Sequence, residues 1–308
     1  MSLSVGIVGL PNAGKSTLFN ALVARRLSPT AVHPFTTIEP HEAVVPVPDG
    51  RLAALAELVK NDESEIIPAT VTFIDIAGLV KGANEGAGLG NQFLAKIREV
   101  DTIIHVVRSF EDPNVAHVHH SAVLGTSEQI KEDIEVVNLE LELAGIKKPT
   151  IYVVNVDGKQ LGEGELWDVG RVMGVSSLVI CAKLEEELSD LRLGERKQYL
   201  NELSVEESGV EKLIQAAYKI LDLITFYTIK GGEEVHAWSI KQGSTALSAA
   251  ERVHTDFAKN FIKAEVINVD ELLLLGGWSK AKESGKIKLE GKDYILRDGD
   301  VVEFKTGA

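Results

Sequence analysis

The sequence predicts an α/β fold: a doubly wound, mainly parallel sheet over residues 1–224, followed by a smaller module of short strands over 225–308. Three observations predict it. Apolar runs recur at Leu3 to Val8, Thr70 to Ile76, Thr102 to Val107, Thr150 to Asn155 and Ser177 to Cys181, each separated by enough chain for a crossover helix. The first run passes through a glycine-rich loop into a helical pattern at Thr17 to Ala24. After Thr225 the pattern changes to short alternating strands, with turns at Gly231-Gly232, Gly291-Lys292 and Asp298-Gly299 around one helix near Ala246 to Phe257.

The helices between the runs follow from periodicity. Ser127 to Gly145 places Ile130, Ile134, Val137, Leu141 and Ala144 on one face with acids opposite, and Gly145 and Pro149 end it. Val210 to Leu223 carries Leu213, Ile214, Ala217, Ile220 and Leu221 on one side, as the last helix of the larger domain must to cover a sheet.

The length of 308 residues suits two domains at roughly 150 residues each. A single cysteine excludes an intramolecular disulfide framework, and no run reaches the ~18 apolar residues of a membrane span or resembles a leader peptide, so the cytoplasm is the expected compartment and no membrane partner is expected. With 32 basic against 46 acidic residues, a global positive field for nucleic acid is excluded.

Gly9-Leu-Pro-Asn-Ala-Gly14-Lys15-Ser16 fits G-x-x-x-x-G-K-[ST] between a strand and a helix, the context that motif requires. Backbone N–H groups over Asn12, Ala13, Gly14, Lys15, Ser16 and Thr17 would cradle phosphates, with Lys15 neutralising their charge and the Ser16 hydroxyl ligating Mg²⁺. A second element, Asp75-Ile-Ala-Gly78-Leu79, ends an apolar strand in a carboxylate suited to Mg²⁺, and the Gly78 N–H would sense a γ-phosphate. The glycine-rich Gly82 to Gly90 suits a switch loop. Between Pro34 and Pro40, Thr37, in preference to Thr36, would close the Mg²⁺ shell.

Together GLPNAGKST, HPFTTIEP and DIAGLVKGANEGAGLGNQFL resemble the Obg branch of the translation-factor P-loop NTPases. HVVRSFED, His105 to Asp112, narrows the resemblance to the YchF subfamily, the Obg-like ATPases. HTDFAKNFIKAEVI and EGKDYILRDGDVVEFK are similar to that subfamily's TGS domain, a small β-grasp module. The resemblance implies a P-loop NTPase domain with a C-terminal TGS-like β-grasp domain. It further implies a Mg²⁺-dependent nucleotide hydrolase that engages the ribosome and is tied to stress responses.

Two departures stand out. The family's long helical arm is missing: only Ile146-Lys147-Lys148 separates Gly145 from Pro149. The base-reading loop, Asn-Lys-x-Asp in GTPases, reads Asn155-Val156-Asp157-Gly158, so the usual bidentate carboxylate contact to guanine has no residue to make it. ATP is therefore preferred over GTP, its 6-amino group accepted by the Asn155 side chain or a backbone carbonyl, with Asp157 the residue that would restore guanine. Val156, Cys181 and Ala182 line the purine pocket by resemblance, Cys181 itself reading as a small buried hydrophobe.

Leu79 stands where Ras-like enzymes place a water-orienting glutamine. By resemblance His117, beside His119 and His120, is the catalytic candidate; a solvated loop is the competing reading, and with it a nucleotide-gated adaptor that hardly turns over. His236, His254, Trp238 and Trp278 read as packing or surface residues. Lys280, Lys282, Lys286 and Lys288 read as a solvated face, with contact to rRNA phosphates as the alternative.

Overall fold

The computed structural model describes residues 3–26, 41–59, 65–76, 89–116, 123–162, 177–203, 205, 207–231 and 234–307. They fall into two compact units. The larger holds a sheet in the order β2-β4-β1-β5-β6-β7, made of β1 (Ser4–Val8), β2 (Glu42–Pro46), β4 (Thr70–Asp75), β5 (Thr102–Arg108), β6 (Thr150–Asn155) and β7 (Ser177–Ile180). From β4 to β7 every neighbouring pair is parallel. All seven residues of β5 are buried, as a central strand covered on both faces must be.

The crossover helices are α1 (Lys15–Arg26), α3 (Leu89–Glu99) and α4 (Ser127–Leu143), followed by α5 (Ala182–Ser189), α6 (Leu193–Glu202) and α7 (Gly209–Ile220). Phe93, Leu94 and Ile97 of α3 and Val137 and Leu141 of α4 form one core with Val8, Ile76 and Ile103. Ile130 and Ile134 of α4 pack with Val107 and Val154 of the sheet and Leu184 and Leu188 of α5 in a second.

Helix α4 begins at Thr126, whose side chain accepts the Gln129 N–H, and ends in a left-handed Gly145 at φ 66°. Ile146 N–H donates to Leu141 O, the Ile146 side chain enters the core, and the Pro149 carbonyl accepts the Ile103 N–H and the Thr102 hydroxyl. The chain thus closes a capped turn where the arm of the resembled family would depart.

The smaller unit carries a sheet in the order β11-β10-β12-β8-β9-β3, the last being Glu65–Ile67. Within residues 222–308 its strands are β8 (Leu223–Lys230), β9 (Glu234–Lys241), β10 (Phe261–Asn268), β11 (Lys288–Glu290) and β12 (Asp300–Thr306). The first and last of these lie side by side in parallel, flanked by antiparallel partners, the arrangement expected of a β-grasp module. Helix α8 (Ala246–Val253) packs Ala246 and Ala249 against Phe226, Val266 and Val302. The helix expected from Ala246 to Phe257 breaks at His254, which is extended and caps α9 (Thr255–Lys259). Helices α10 (Val269–Leu275) and α11 (Trp278–Glu283) complete the unit, and Lys280, Lys282, Lys286 and Lys288 are exposed.

The last stretch of the smaller unit begins at Asp222, beside the expected boundary near 224. Residues 46–70, assigned from sequence to the larger domain, group with 222–308. That segment supplies α2 (Gly50–Val59) and β3 (Glu65–Ile67), which pairs in parallel with β9. A three-residue strand and a short helix carry too little periodicity to reveal which sheet they join. Backbone pairing holds β3, α2 buries Leu52 and Leu55, and a polar cluster joins its start: the buried Tyr227 hydroxyl donates to Asp49, while Arg51 binds Asp49 at 3.1 Å and Asp298 at 2.6 Å and lies 5.6 Å from the Tyr227 ring centroid.

Tyr227→Phe removes one donor to Asp49, which keeps Arg51, with little change of volume, and is expected to lower stability by about 1 kcal/mol, the net worth of one hydrogen bond. Urea unfolding followed by far-UV circular dichroism measures it, and an unchanged midpoint would refute the role given to this cluster.

Candidate functional site

The phosphate loop leaves β1 at Gly9 and enters α1 at Lys15. Two of its glycines are required by close approach: a Cβ on Gly9 would sit 2.3 Å from the Val106 carbonyl oxygen, and one on Gly14 would sit 2.1 Å from Asn155 Nδ2. Lys15 is 7% exposed and donates through Nζ to the Leu10 carbonyl at 2.8 Å. Burial lowers its ammonium to about 8, and the nearby Asp75 carboxylate opposes the shift. The loop thus holds a cation on one of its own carbonyls, where an incoming phosphate can take it over.

Ser16 Oγ lies 3.3 Å from Asp75 Oδ2, so parallel pairing of β1 with β4 brings the two expected metal ligands together. The other Asp75 oxygen is buried and lacks a hydrogen-bond partner among the described residues. A carboxylate oxygen left bare beside a hydroxyl is a donor set that fits a hard divalent cation. Thr37, Gly78, Leu79 and His117, with most of the Gly82 to Gly90 loop, lie outside the described residues.

Asn155 ends β6 and is 4% exposed. Its Nδ2 donates to the Ala13 carbonyl at 2.9 Å and its Oδ1 accepts the Ala182 N–H at 3.0 Å. The amide thereby ties the phosphate loop to the loop after β7, and its Oδ1, with one N–H accepted, keeps a second lone pair. Asp157 caps its own turn through one oxygen, Oδ1 accepting the Lys159 N–H at 2.8 Å and the Gln160 N–H at 3.1 Å. A Cβ on Gly158 would meet nothing within 4 Å. Cys181 is buried, which pushes its thiol up, in keeping with a packing role.

The geometry assembles a strand, a phosphate loop, a hydroxyl beside a carboxylate and a base-side loop at the C-terminal ends of parallel strands, where open α/β sheets bind ligands. Residues 4–156 match a family model described as a 50S ribosome-binding GTPase, and residues 223–307 match the YchF-GTPase C-terminal model, described as a protein of unknown function. The ribosome-binding ATPase YchF of Pasteurella multocida is 39% identical, with 99% of each chain covered, and that of Bacillus subtilis is 37% identical over the same shares. The chain belongs to the YchF family.

Among solved structures, the YchF GTPase of Schizosaccharomyces pombe is 28% identical with a TM-score of 0.80, covering 99% of this chain and 98% of that one. The alignment to the Pasteurella multocida relative runs over 372 positions against 308 residues here, so that YchF protein carries sequence with no counterpart in this chain. This YchF chain is a P-loop NTPase with an α/β nucleotide domain and a C-terminal β domain. No helix among its described residues is long and apolar enough to cross a membrane.

Sequence reasoning passed over two buried polar residues of β5, although a histidine and an arginine inside an apolar strand are themselves a signal. His105 is 1% exposed, with neither ring nitrogen hydrogen-bonded among the described residues and its ring 5.4 Å from that of Tyr152. Desolvation, with a smaller contribution from Lys15, lowers it to about 3. The folded imidazole stays neutral while an unfolded one protonates below about 6.5, so folding stability falls as pH drops from there towards 3. Between about pH 7 and pH 5 this costs on the order of 2 kcal/mol. His105→Leu is expected to lose that part of the acid sensitivity, read as a smaller shift of the urea midpoint between the two pH values. An equal shift in both proteins would refute the assignment.

Proposed function

We propose that this YchF protein binds ATP with Mg²⁺, hydrolyses it slowly, and uses the nucleotide state as a switch on ribosome binding. The observation that carries the reading is the phosphate loop with Lys15 poised at its centre and Ser16 beside Asp75. The names of its relatives, ribosome-binding ATPases, support the nucleotide and the partner. In this reading the N–H groups of Asn12, Ala13, Gly14, Lys15, Ser16 and Thr17 orient the phosphates, and Lys15 leaves the Leu10 carbonyl to neutralise them. Ser16 and Asp75, with Thr37, would hold Mg²⁺, which when bound screens the charge developing on the phosphates. Gly78 offers its N–H to the γ-phosphate. Val156, Cys181 and Ala182 border the base, and the free lone pair of Asn155 Oδ1 or a backbone carbonyl accepts the adenine amino group.

Specificity for ATP over GTP rests on a missing carboxylate. Asp157 caps its own turn and Gly158 has no side chain, so guanine finds no acceptor for its N1–H and 2-amino donors at the usual place. The open space at Gly158 makes the test clean. Calorimetry with non-hydrolysable analogues and Mg²⁺ is expected to show tighter ATP than GTP binding in the native protein, with Gly158→Asp raising GTP affinity about tenfold or more. Tighter GTP binding by the native chain would make it an Obg-type GTPase instead.

Leu79 cannot hydrogen-bond a water, so hydrolysis needs another group, and His117 is assigned that role. His117→Ala is expected to lower kcat at least about tenfold with little change in nucleotide affinity. Residual turnover unchanged by that substitution would favour the second reading, a nucleotide-gated adaptor, which the leucine at 79 also supports.

A further inference from the structure

Arg108 closes β5 at 1% exposure, and its guanidinium is spent on main-chain carbonyls. Nε donates to Phe110 O at 3.1 Å, Nη1 to Val115 O at 3.0 Å and Ala116 O at 3.2 Å, and Nη2 to Asp112 O at 3.4 Å. The guanidinium carbon lies 4.5 Å from the centre of the Phe110 ring. Because the donors of an arginine fork are fixed in one plane, the four carbonyls are held in a set arrangement by one side chain. The cage is itself anchored: the Arg108 carbonyl accepts Gln129 Nε2 at 2.9 Å, and the Ser109 and Phe110 N–H groups donate to the Asn155 carbonyl at 2.8 and 3.1 Å.

One carbonyl of the cage has a second guest. Ala116 O also accepts Asn12 Nδ2 at 3.1 Å, from inside the phosphate loop. Asn12 has φ 62°, in the left-handed region that L residues seldom adopt and asparagine tolerates better than most. The same turn also faces Gly14, whose Cβ, if present, would lie 3.8 Å from the Phe110 ring. A buried cation thus fixes a turn, and the turn holds the bend of the phosphate loop.

We propose that Arg108 is a positioning residue for nucleotide binding: it fixes the Ala116 carbonyl from which Asn12, and with it the left-handed bend of the phosphate loop, is hung. The proposal rests on the reading of that loop as the phosphate site. A loop whose N–H groups already converge binds phosphate without ordering itself first, and a loop that loses its tether must do so at the expense of affinity.

The test is a double-mutant cycle on the full chain, with affinity for a non-hydrolysable ATP analogue and Mg²⁺ measured by calorimetry. Arg108→Lys keeps the charge and loses the fork, while Asn12→Gly removes the tether at an exposed position and leaves the backbone conformation free of strain. Each alone is expected to weaken binding by about three- to tenfold, and Arg108→Lys is expected to cost nothing further once Asn12 is glycine. Equal losses from Arg108→Lys in both backgrounds, or no loss in either, would overturn the proposal. If Arg108→Lys does not fold, the position-12 pair decides: Asn12→Gly is expected to weaken binding with an unchanged melting temperature and Asn12→Ala to weaken it more, and unaltered affinity in both overturns the role. Lys15→Ala separates the two readings. Should it leave affinity intact, the phosphate site itself is wrong; should it abolish binding while the cycle is additive, only the brace is wrong.

Discussion

The nucleotide site depends on one buried amide. Asn155 reaches from the end of β6 to the Ala13 carbonyl on one side and the Ala182 N–H on the other, so that the phosphate loop and the base-side loop share a single rigid support. Its backbone carbonyl meanwhile receives the Ser109 and Phe110 N–H groups. A network in which every member is satisfied in a low-dielectric interior resists deformation, because loosening one bond strands its neighbours. The close fit of Gly14 against the same side chain leaves no room to substitute the glycine without breaking the tie.

Charge is managed around that support by burial. The chain is acidic overall, yet Lys15 and Arg108 are drawn into the interior at the ends of adjoining parallel strands. Lys15 rests on a carbonyl that a phosphate can replace, whereas Arg108 has its donors consumed by a turn and cannot easily be recruited. The first cation is held by one carbonyl and the second by four. His105, buried in the same strand, remains neutral. A further charge there would repel Lys15, and its desolvation would have to be compensated.

The smaller unit is stabilised differently. A core of Phe226, Val266 and Val302 beneath α8 follows the hydrophobic pattern, whereas α2 and β3 are joined by buried Leu52 and Leu55, by pairing with β9 and by the cluster of Asp49, Arg51, Tyr227 and Asp298. Adding a parallel strand beside β9 covers what would otherwise be an open sheet edge.

The sequence by itself determined the strands and helices that carry strong periodicity, and the phosphate-loop motif between the first strand and the first helix. The runs at Thr102, Thr150 and Ser177 became β5, β6 and β7 within a residue or so, and Gly9 to Ser16 is a phosphate loop because that order of residue types permits little else after a buried strand. The departure at Gly158 was equally legible, since a missing carboxylate is visible in one dimension. Tertiary structure decided what depends on pairs distant in the chain. That Asn155 is a strut between two loops follows from Ala13 and Ala182 lying against it, and that Arg108 and Asn12 are linked follows from a shared carbonyl at Ala116. The allegiance of residues 46–70 was likewise settled by partners some 180 to 250 positions away. Periodicity reports which face of an element is buried, and a side chain's partner is fixed only when the chain has folded and burial forces each polar group to find one.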